Sequence, residues 1–582
     1  MSRNDEVADL LEEFADLLDA KGVEYKPTAY RRAAENVRDH PAPIENLAGE
    51  GEDAVAEIDR VGDAIAAKIV EYFETGEIEE LEALRSELPV DIEALTRIEG
   101  VGPKTVGTLY EELGITTLDE MEAAAEAGEI TEVKGFGPKT QENILENVTF
   151  AREAQERERV GDARPVADDA LGYLADVEAV TEVEVCGSIR RWKDTIGDVD
   201  VLAASDEEEA VVDAFTDWPA ADAVIEAGTN KASVRADGLR VDLRVVVTEE
   251  FGAALQYFTG SRDHNIAVRN RAIDRDLKVN EYGVFDVSDV EDPDSGQRVG
   301  DKVAGESEEG VYDALDMAWV PPELRENNGE VAAAADGALP DLIEQEGING
   351  DLHTHTDWSD GGHTIAQMVE AAAERGYDFH AVTDHAEGPG IFGNTGLSEA
   401  DLEEQAEAVA EVAENVDIDV FHGVEANIAE DGAISTDDDA LAALDFVVAS
   451  PHSALRESED ATDRLVTAIE HPEVDVLGHP TGRIINSRAG LDVDFERVAE
   501  AAAAEDVALE VNANPARLDC NGDAVRAAID AGAPIAINTD AHSPREFDHV
   551  RFGVHTARRG WAEGADVLNA RSPTELREFF AD

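Results

Sequence analysis

The chain has 582 residues, with 133 Asp and Glu against 46 Lys and Arg, for a formal net charge of −87. That length suggests about four domains, and a hydrophobic content of 43% with regular apolar spacing excludes a disordered acidic polymer. Two cysteines, Cys186 and Cys520, exclude a disulfide scaffold or a thiolate zinc site and fit a reducing compartment. No run reaches the roughly 18 apolar residues of a membrane span, and the start, MSRNDEVADLLEEF, lacks a signal-peptide pattern, so a cytoplasmic protein with no membrane partner is expected. At molar salt the Debye length falls to about 3 Å, where so acidic a surface no longer repels itself or a nucleic acid; the composition therefore points to a halophilic cytosol.

Residues 5–150 read as helices, with apolar positions three to four apart in VADLLEEFADLLDA, AIAAKIVEYF and NILENVTFA. Within them Gly100-Val101-Gly102-Pro103-Lys104-Thr105 and Gly135-Phe136-Gly137-Pro138-Lys139-Thr140 form a repeat 35 residues apart. The repeat resembles the helix-hairpin-helix, whose backbone N–H groups and helix N-terminus accept a phosphate oxygen without reading bases. A degraded third copy lies at Arg60-Val61-Gly62, with Arg60 in place of the first glycine.

From about residue 180 the period becomes strand-like, in EVEVCGS, DVDVLAA and LRVDLRVVV, around a helix rich in Ala and Asp. Gly187-Ser188-Ile189-Arg190-Arg191 precedes Asp198 and Asp200, which at i and i+2 on a strand share one face, and Asp242 stands on a later strand. Three such carboxylates can hold two Mg²⁺ or Mn²⁺ ions against a triphosphate, which is the chemistry of nucleotidyl transfer, with Ser188, backbone N–H groups and Arg191 on the phosphates. With Tyr257-Phe258-Thr259-Gly260-Ser261, Asn265 and Arg269, the segment resembles a family X DNA polymerase. The resemblance implies that Tyr257, Phe258 and Gly260 bound the nucleotide sugar, that Asn265 touches the incoming base and that Arg269 tests the minor groove. It also places Lys68 where related eukaryotic repair polymerases carry a Schiff-base lysine. The acidic surroundings would raise that lysine's pKa, so an exposed helix lysine is the favoured reading. Lysines are scarce near the polymerase motif.

The stretch from Pro321 to about Gly350 loses β-branched residues and reads as a linker. After it, seven short strands alternate with helices, in DLHTH, FHAVTDH, VFHGVEANI, FVVASPH, VDVLGHP, ALEVNAN and PIAINTDAH, as expected for a closed parallel barrel of seven βα units. Twelve of the 14 histidines fall here, and six of the seven strands end in His, Asp or Glu. At the C-terminal strand ends His353, His355, Asp360, His385, Glu425, His452, His479, Asp540 and His542 should converge, too many ligands for one ion and suited to Mn, Zn or Fe. These motifs resemble the polymerase-and-histidinol-phosphatase (PHP) domain. The resemblance implies a distorted (β/α)7 barrel with up to three Mn²⁺ or Zn²⁺ ions. His353, His355, Glu425 and Asp540 would hold one, Glu425, His452 and His479 a second, and Asp360, His385 and His542 a third. His380, His422 and Asp384 lie beside the motifs and are expected to be structural.

The whole order resembles the bacterial and archaeal family X polymerases, a multidomain α and α/β architecture. Its expected parts are an N-terminal helical domain like the 8-kDa domain (1–85), a helix-hairpin-helix region (86–155) and a mixed α/β nucleotidyltransferase palm (156–255). A nucleotide-selecting subdomain (256–320), a linker (321–349) and the PHP hydrolase (350–582) complete them. The implied activities are gap filling with dNTPs on gapped or primed DNA and a 3′–5′ exonuclease in the PHP domain, with cleavage at abasic sites as an extension of it, in a monomeric repair enzyme. The alternatives are a gap-bridging DNA-binding scaffold with an idle polymerase site, and a PHP phosphoesterase with a vestigial polymerase.

Overall fold

A computed structural model describes residues 3–23, 26–38, 44–56, 58, 60–98, 100–155, 157–391, 395–455 and 460–581. The chain forms two compact units, Met1–Glu158 with Asn486–Arg488, and Arg159–Ile485 with Ala489–Asp582.

The first unit is helical. In Arg3–Ala20 the residues Val7, Leu11, Phe14 and Leu18 follow the helical period and are buried together, and Phe14 stacks on Tyr30 of Lys26–Arg38 at 4.4 Å between centroids. The opposite face is acidic, and Arg31 bridges Asp16 and Asp19 across the two helices. Both glycine repeats fold alike: Gly100 and Gly135 take φ of +77° and +105°, a left-handed turn that glycine adopts without a Cβ clash. Pro103 and Pro138 then open the helices Pro103–Leu113 and Pro138–Gln155. The degraded copy keeps the same turn, since Arg60 takes φ +61° before Gly62 caps Asp63–Thr75.

The second unit opens with a five-stranded sheet in the spatial order 182–185, 199–204, 239–246, 231–236, 223–227. Helices Val160–Ala175 and Glu208–Thr216 bury Val166, Ala170, Val211 and Phe215 on one face, and Phe251–Thr259 packs Phe251 and Ala254 on the other. A three-stranded antiparallel sheet, Leu277–Asn280, Gly283–Asp286 and Asp301–Ala304, follows. His264, one of the two histidines before residue 350, is a core residue here, between Glu330 at 2.6 Å and the Tyr312 hydroxyl at 3.0 Å.

The 321–349 stretch, expected as a linker, is instead packed. Arg325 is fully buried, bonded to Glu308 and to the Val320 carbonyl, and Glu323 is gripped by His555 and Arg558 of the Val550–Arg559 helix, which hold its carboxyl down at about 2 against the effect of burial. Loss of β-branched residues misled because arginine and glutamate, not aliphatics, make this contact.

Seven parallel strands in chain order then form the barrel, from Gly350–Asp351 to Ile535–Asn538, and a bridge between Thr354 and Ala541 joins its last strand to its first. Side-chain alternation divides each strand. Phe421, Val448, Ala508 and Ala536 fill the interior with Leu352 and Phe379, whereas Val424, Val447, Leu509 and Ile537 meet the surrounding helices. Leu576 of the last helix, Pro573–Phe579, joins the interior cluster. Palm and barrel share a contact at Trp192, which stacks on His555 at 3.7 Å between Arg164 and Arg551. Among the described residues no helix is long and apolar enough to cross a membrane.

Candidate active sites

The palm cluster follows from strand register. Val199–Ala204 and Leu239–Val246 run parallel with Asp200 directly opposite Asp242, and Asp198 precedes the first strand, so one carboxylate oxygen of each lies within 4.8 Å of the others. Gly187 explains its own identity: its φ is +62°, and a Cβ there would stand 2.3 Å from Asp200 Oδ2. Burial first, then the charges of Asp198 and Asp242, push Asp200 up to about 7. Three converging carboxylates, one of them raised by burial and by the other two, fit a divalent cation, which would relieve the repulsion.

Gly187 and Ser188 begin the turn that carries Arg191. Arg191 donates Nη1–H to the Thr259 carbonyl at 2.5 Å and pairs with Glu326 at 3.0 Å, which ties the turn to the end of the Tyr257-Phe258 helix and to Gly260. Asn265 donates to the Tyr257 carbonyl at 2.7 Å and accepts from Gln256 at 2.9 Å; Arg269 is exposed on the same helix, Arg262–Ile273. A cleft of about 240 Å³ opens beside Asp200 and Asp242 and is also lined by Lys231, Arg240, Arg244 and Phe258. Arg240 pairs with Asp242 at 2.8 Å, and Arg244 lies over the Phe258 ring at 4.4 Å. Lysine, expected to be scarce here, supplies one residue of the cleft, Lys231, and Arg240 and Arg244 supply further positive charge. Arg240 and Arg244 flank Asp242 two residues away on either side of it in the one strand Leu239–Val246 and so share its face, and Lys231 comes from the neighbouring strand Lys231–Ala236.

In the barrel the inward positions at the C-terminal strand ends form a cup above the apolar interior. Glu425 is its centre: one or other of its oxygens lies 2.6 Å from His385, 2.9 Å from His479, 3.1 Å from His452, 3.5 Å from His353 and 3.6 Å from His355. Asp540 lies 3.1 Å from His355 and 3.8 Å from His353. Asp360 lies 3.3 Å from both His385 and His542. All nine residues expected in the cup are thus brought together. His355 turns Nε2 to Asp540 and Nδ1 to Asp360, and His385 reaches both Asp360 and Glu425, so neighbouring ion sets share residues.

Burial opposes charge throughout the cup, yet Glu425 and Asp540 hold His353 well above its ordinary pKa, together with Glu510. Glu425 and Asp360 likewise take His385 to about 10, and Asp360 takes His542 to about 9. The carboxyls of Glu425, Asp540 and Asp360 are correspondingly depressed by those imidazoles. His452 is the opposite case, pushed by burial to about 4. His353 Nε2, both nitrogens of His355 and Glu425 Oε2 are buried without a hydrogen-bond partner. Unpartnered imidazole nitrogens facing carboxylates are a donor set that fits divalent cations.

His380 and His422 lie outside the cup, the first near Thr354 and the second near Gln405, and Asp384 accepts from Thr356, Ser359 and Gln405. In the first unit, Lys104 and Lys139 are exposed, and Lys68 is paired with Glu80 at 2.5 Å. Sequence reasoning missed Glu510, a buried carboxylate on the strand Ala508–Asn512 that contacts His353 and the His479 backbone. The signal was a glutamate between Leu509 and Val511, at the inward parity set by Ala508.

Comparisons with known proteins agree with this geometry. The chain matches a DNA polymerase beta thumb over residues 254–326, a helix-hairpin-helix domain over 2–78, a SAM-like helix-hairpin-helix tandem over 92–147 and a PHP domain over 351–514. It is 34% identical over 576 residues, 98% of each chain, to the DNA polymerase/3′-5′ exonuclease PolX of Bacillus subtilis. Over 222 residues, 35% of this chain, it is 35% identical to a probable phosphatase of Caldanaerobacter subterraneus, covering 78% of that protein, and 31% identical to one of Thermoanaerobacter sp., covering 81%. With helix-hairpin-helix segments, a polymerase thumb and a C-terminal barrel in one order, and with likeness along its whole length, the chain belongs to the family X DNA polymerases that carry a PHP domain.

Proposed function

We propose that the protein is a DNA-directed DNA polymerase that fills short gaps during DNA repair and that its barrel trims DNA 3′ ends as a 3′–5′ exonuclease. The observation that carries this reading is the register that sets Asp200 beside Asp242 under the Gly187 turn, in a chain that also holds the nine-residue barrel cup. Asp198, Asp200 and Asp242 would hold Mg²⁺ or Mn²⁺, and the barrel residues up to three Mn²⁺ or Zn²⁺ ions in the sets given above. Bound there, the cations supply charge neutralisation of phosphates and a lowered pKa for coordinated water or hydroxyl.

The remaining work falls to this chain's own groups. Ser188, Arg191 and Gly187 cradle the dNTP phosphates, with Arg191 exchanging Glu326 for the triphosphate. Tyr257, Phe258 and Gly260 bound the sugar; Asn265 and Arg269 contact the base and the minor groove. Gly100, Gly102, Lys104, Gly135, Gly137 and Lys139 grip the DNA backbone. Arg240, Arg244 and Lys231 add positive charge beside the carboxylates, which suits a polyanion even in so acidic a chain. Lys68, paired with Glu80, is assigned no lyase role. The acidic composition favours work at high salt, and cleavage at abasic sites is a natural extension of the same cup. The domain limits read from the sequence are retained, except that 321–349 joins the thumb to the barrel as packed structure.

The test is one gel. In molar KCl with Mn²⁺ and a 5′-labelled gapped duplex, extension should require dNTPs and vanish in Asp200→Ala, whereas shortening without dNTPs should survive Asp200→Ala and vanish in His353→Ala. Extension surviving in Asp200→Ala, or shortening lost with it, would overturn the assignment of the two sites.

A further inference from the structure

We propose that Glu510 is the positioning residue of the barrel cup, a single carboxylate that fixes the pose of two histidines belonging to different ion sets. The proposal rests on reading the cup as a metal site. Glu510 has the same parity as Ala508 on its strand, so it points into the barrel beneath the cup, and it is completely buried. A buried carboxylate of this kind is retained only when its oxygens are satisfied.

Both oxygens are satisfied from inside the protein. Oε1 accepts from His353 Nδ1 at 2.8 Å and from Asn538 Nδ2 at 2.9 Å; Oε2 accepts from the His479 backbone N–H at 2.8 Å and faces Asn512 Nδ2 at 3.5 Å. Its effect passes through its partners. With Nδ1 of His353 engaged by Glu510, Nε2 faces Glu425 and Asp540 without a hydrogen-bond partner. This carboxylate–imidazole arrangement fixes ring orientation and raises the basicity of the free nitrogen.

The second grip is on the main chain. His479 follows the strand Val476–Leu477 in a left-handed turn, φ +23°, which is costly for a residue with a Cβ, and the Glu510 oxygen holds its N–H there. That turn aims His479 Nε2 at Glu425 Oε1, 2.9 Å away. Among the described residues, Asp360, His385 and His542 make no bond to Glu510, so the third set stands apart from it.

The consequence is selective. Glu510→Gln keeps the shape, but its amide NH₂ can only donate, so whichever way the amide turns it faces donors on one side, at His353 and Asn538 or at the His479 N–H and Asn512, and the negative charge is lost to both. Mn²⁺ affinity of the two sets containing His353 and His479 should fall about 10- to 100-fold, while the set with Asp360 is unchanged. Equilibrium dialysis with Mn²⁺ alone, followed by electron paramagnetic resonance, would read this as the loss of two ion equivalents out of three at micromolar Mn²⁺. Exonuclease activity should return at millimolar Mn²⁺ in Glu510→Gln and not in His353→Ala. Wild-type stoichiometry and affinity in Glu510→Gln, with His353→Ala defective, would overturn the proposal alone; a wild type that binds no Mn²⁺ in the barrel would overturn the metal reading beneath it. Should Glu510→Gln not fold, Glu510→Asp, which keeps the charge and shortens the reach, is expected to show a smaller loss with the same rescue, and unaltered Mn²⁺ binding in it would equally refute the proposal.

Discussion

Gly187→Ala isolates the palm site with one methyl group. The added Cβ would stand 2.3 Å from Asp200 Oδ2 and 3.3 Å from its Cγ, where ordinary contact begins near 3.4 Å, so the carboxylate must retreat by roughly 1 Å. The turn also keeps φ +62°, which costs an alanine about 1–2 kcal/mol. Stability should therefore drop only modestly, whereas a displacement of about 1 Å in a catalytic carboxylate typically costs about 10²-fold in rate. Single-nucleotide gap filling should fall by about that factor at saturating dNTP, with 3′ shortening at the barrel unchanged in the same preparation. Gap filling at the wild-type rate would refute the close approach of Gly187 to Asp200 and with it the placement of the triphosphate. Equal loss of both activities would point to general unfolding and refute the claim that the damage is local.

Two further outcomes follow from named groups. Burial pushes Asp475 up to about 7, although it accepts from the Val447 N–H at 2.8 Å. An acid raised above its unfolded value stabilises the fold below about pH 4 and loses that stabilisation as pH rises through 7; Asp475→Asn should therefore melt higher than wild type at pH 8 by a few °C and equally at pH 4, as scanning calorimetry would record. A variant less stable at pH 8 would contradict the assignment. Lys104→Ala and Lys139→Ala should each weaken gapped-duplex binding regardless of sequence and lower the slope of log affinity against log salt by about 1. An unchanged slope in fluorescence anisotropy would remove these lysines from the backbone contact.

The sequence disclosed most where a chemical requirement and a backbone requirement coincide. Gly187 ahead of Asp198 and Asp200, and the paired Gly100 and Gly135 turns, are legible because glycine is needed for the turn and the neighbouring residue for the chemistry. The nine cup residues were legible because barrel strands end where ligands stand. Glu510 was not, since it lies below the strand end and its partners come from strands far away in sequence. Arg240 and Arg244, by contrast, stand two residues either side of Asp242 and share its strand face, so strand alternation could have found them, and Arg60 shows that the hairpin turn persists at a position where composition alone suggests it is lost. The 321–349 stretch was misread because a segment can be held by buried ion pairs as well as by aliphatic packing.

The grip of the barrel on residues 191–194 bears on how the gene can be divided. Arg559 donates to the Arg191 carbonyl at 3.1 Å, His555 covers the Trp192 ring, and Arg483 pairs with Asp194 at 2.8 Å. All three gripping residues come from beyond position 480, yet what they hold is the loop between the Gly187 turn and the first palm carboxylate, Asp198. A fragment ending near residue 350 would carry every polymerase motif while baring the Trp192 indole and taking from Asp194 its Arg483 partner. In this chain the trimming half is thus part of the foundation of the synthesising half.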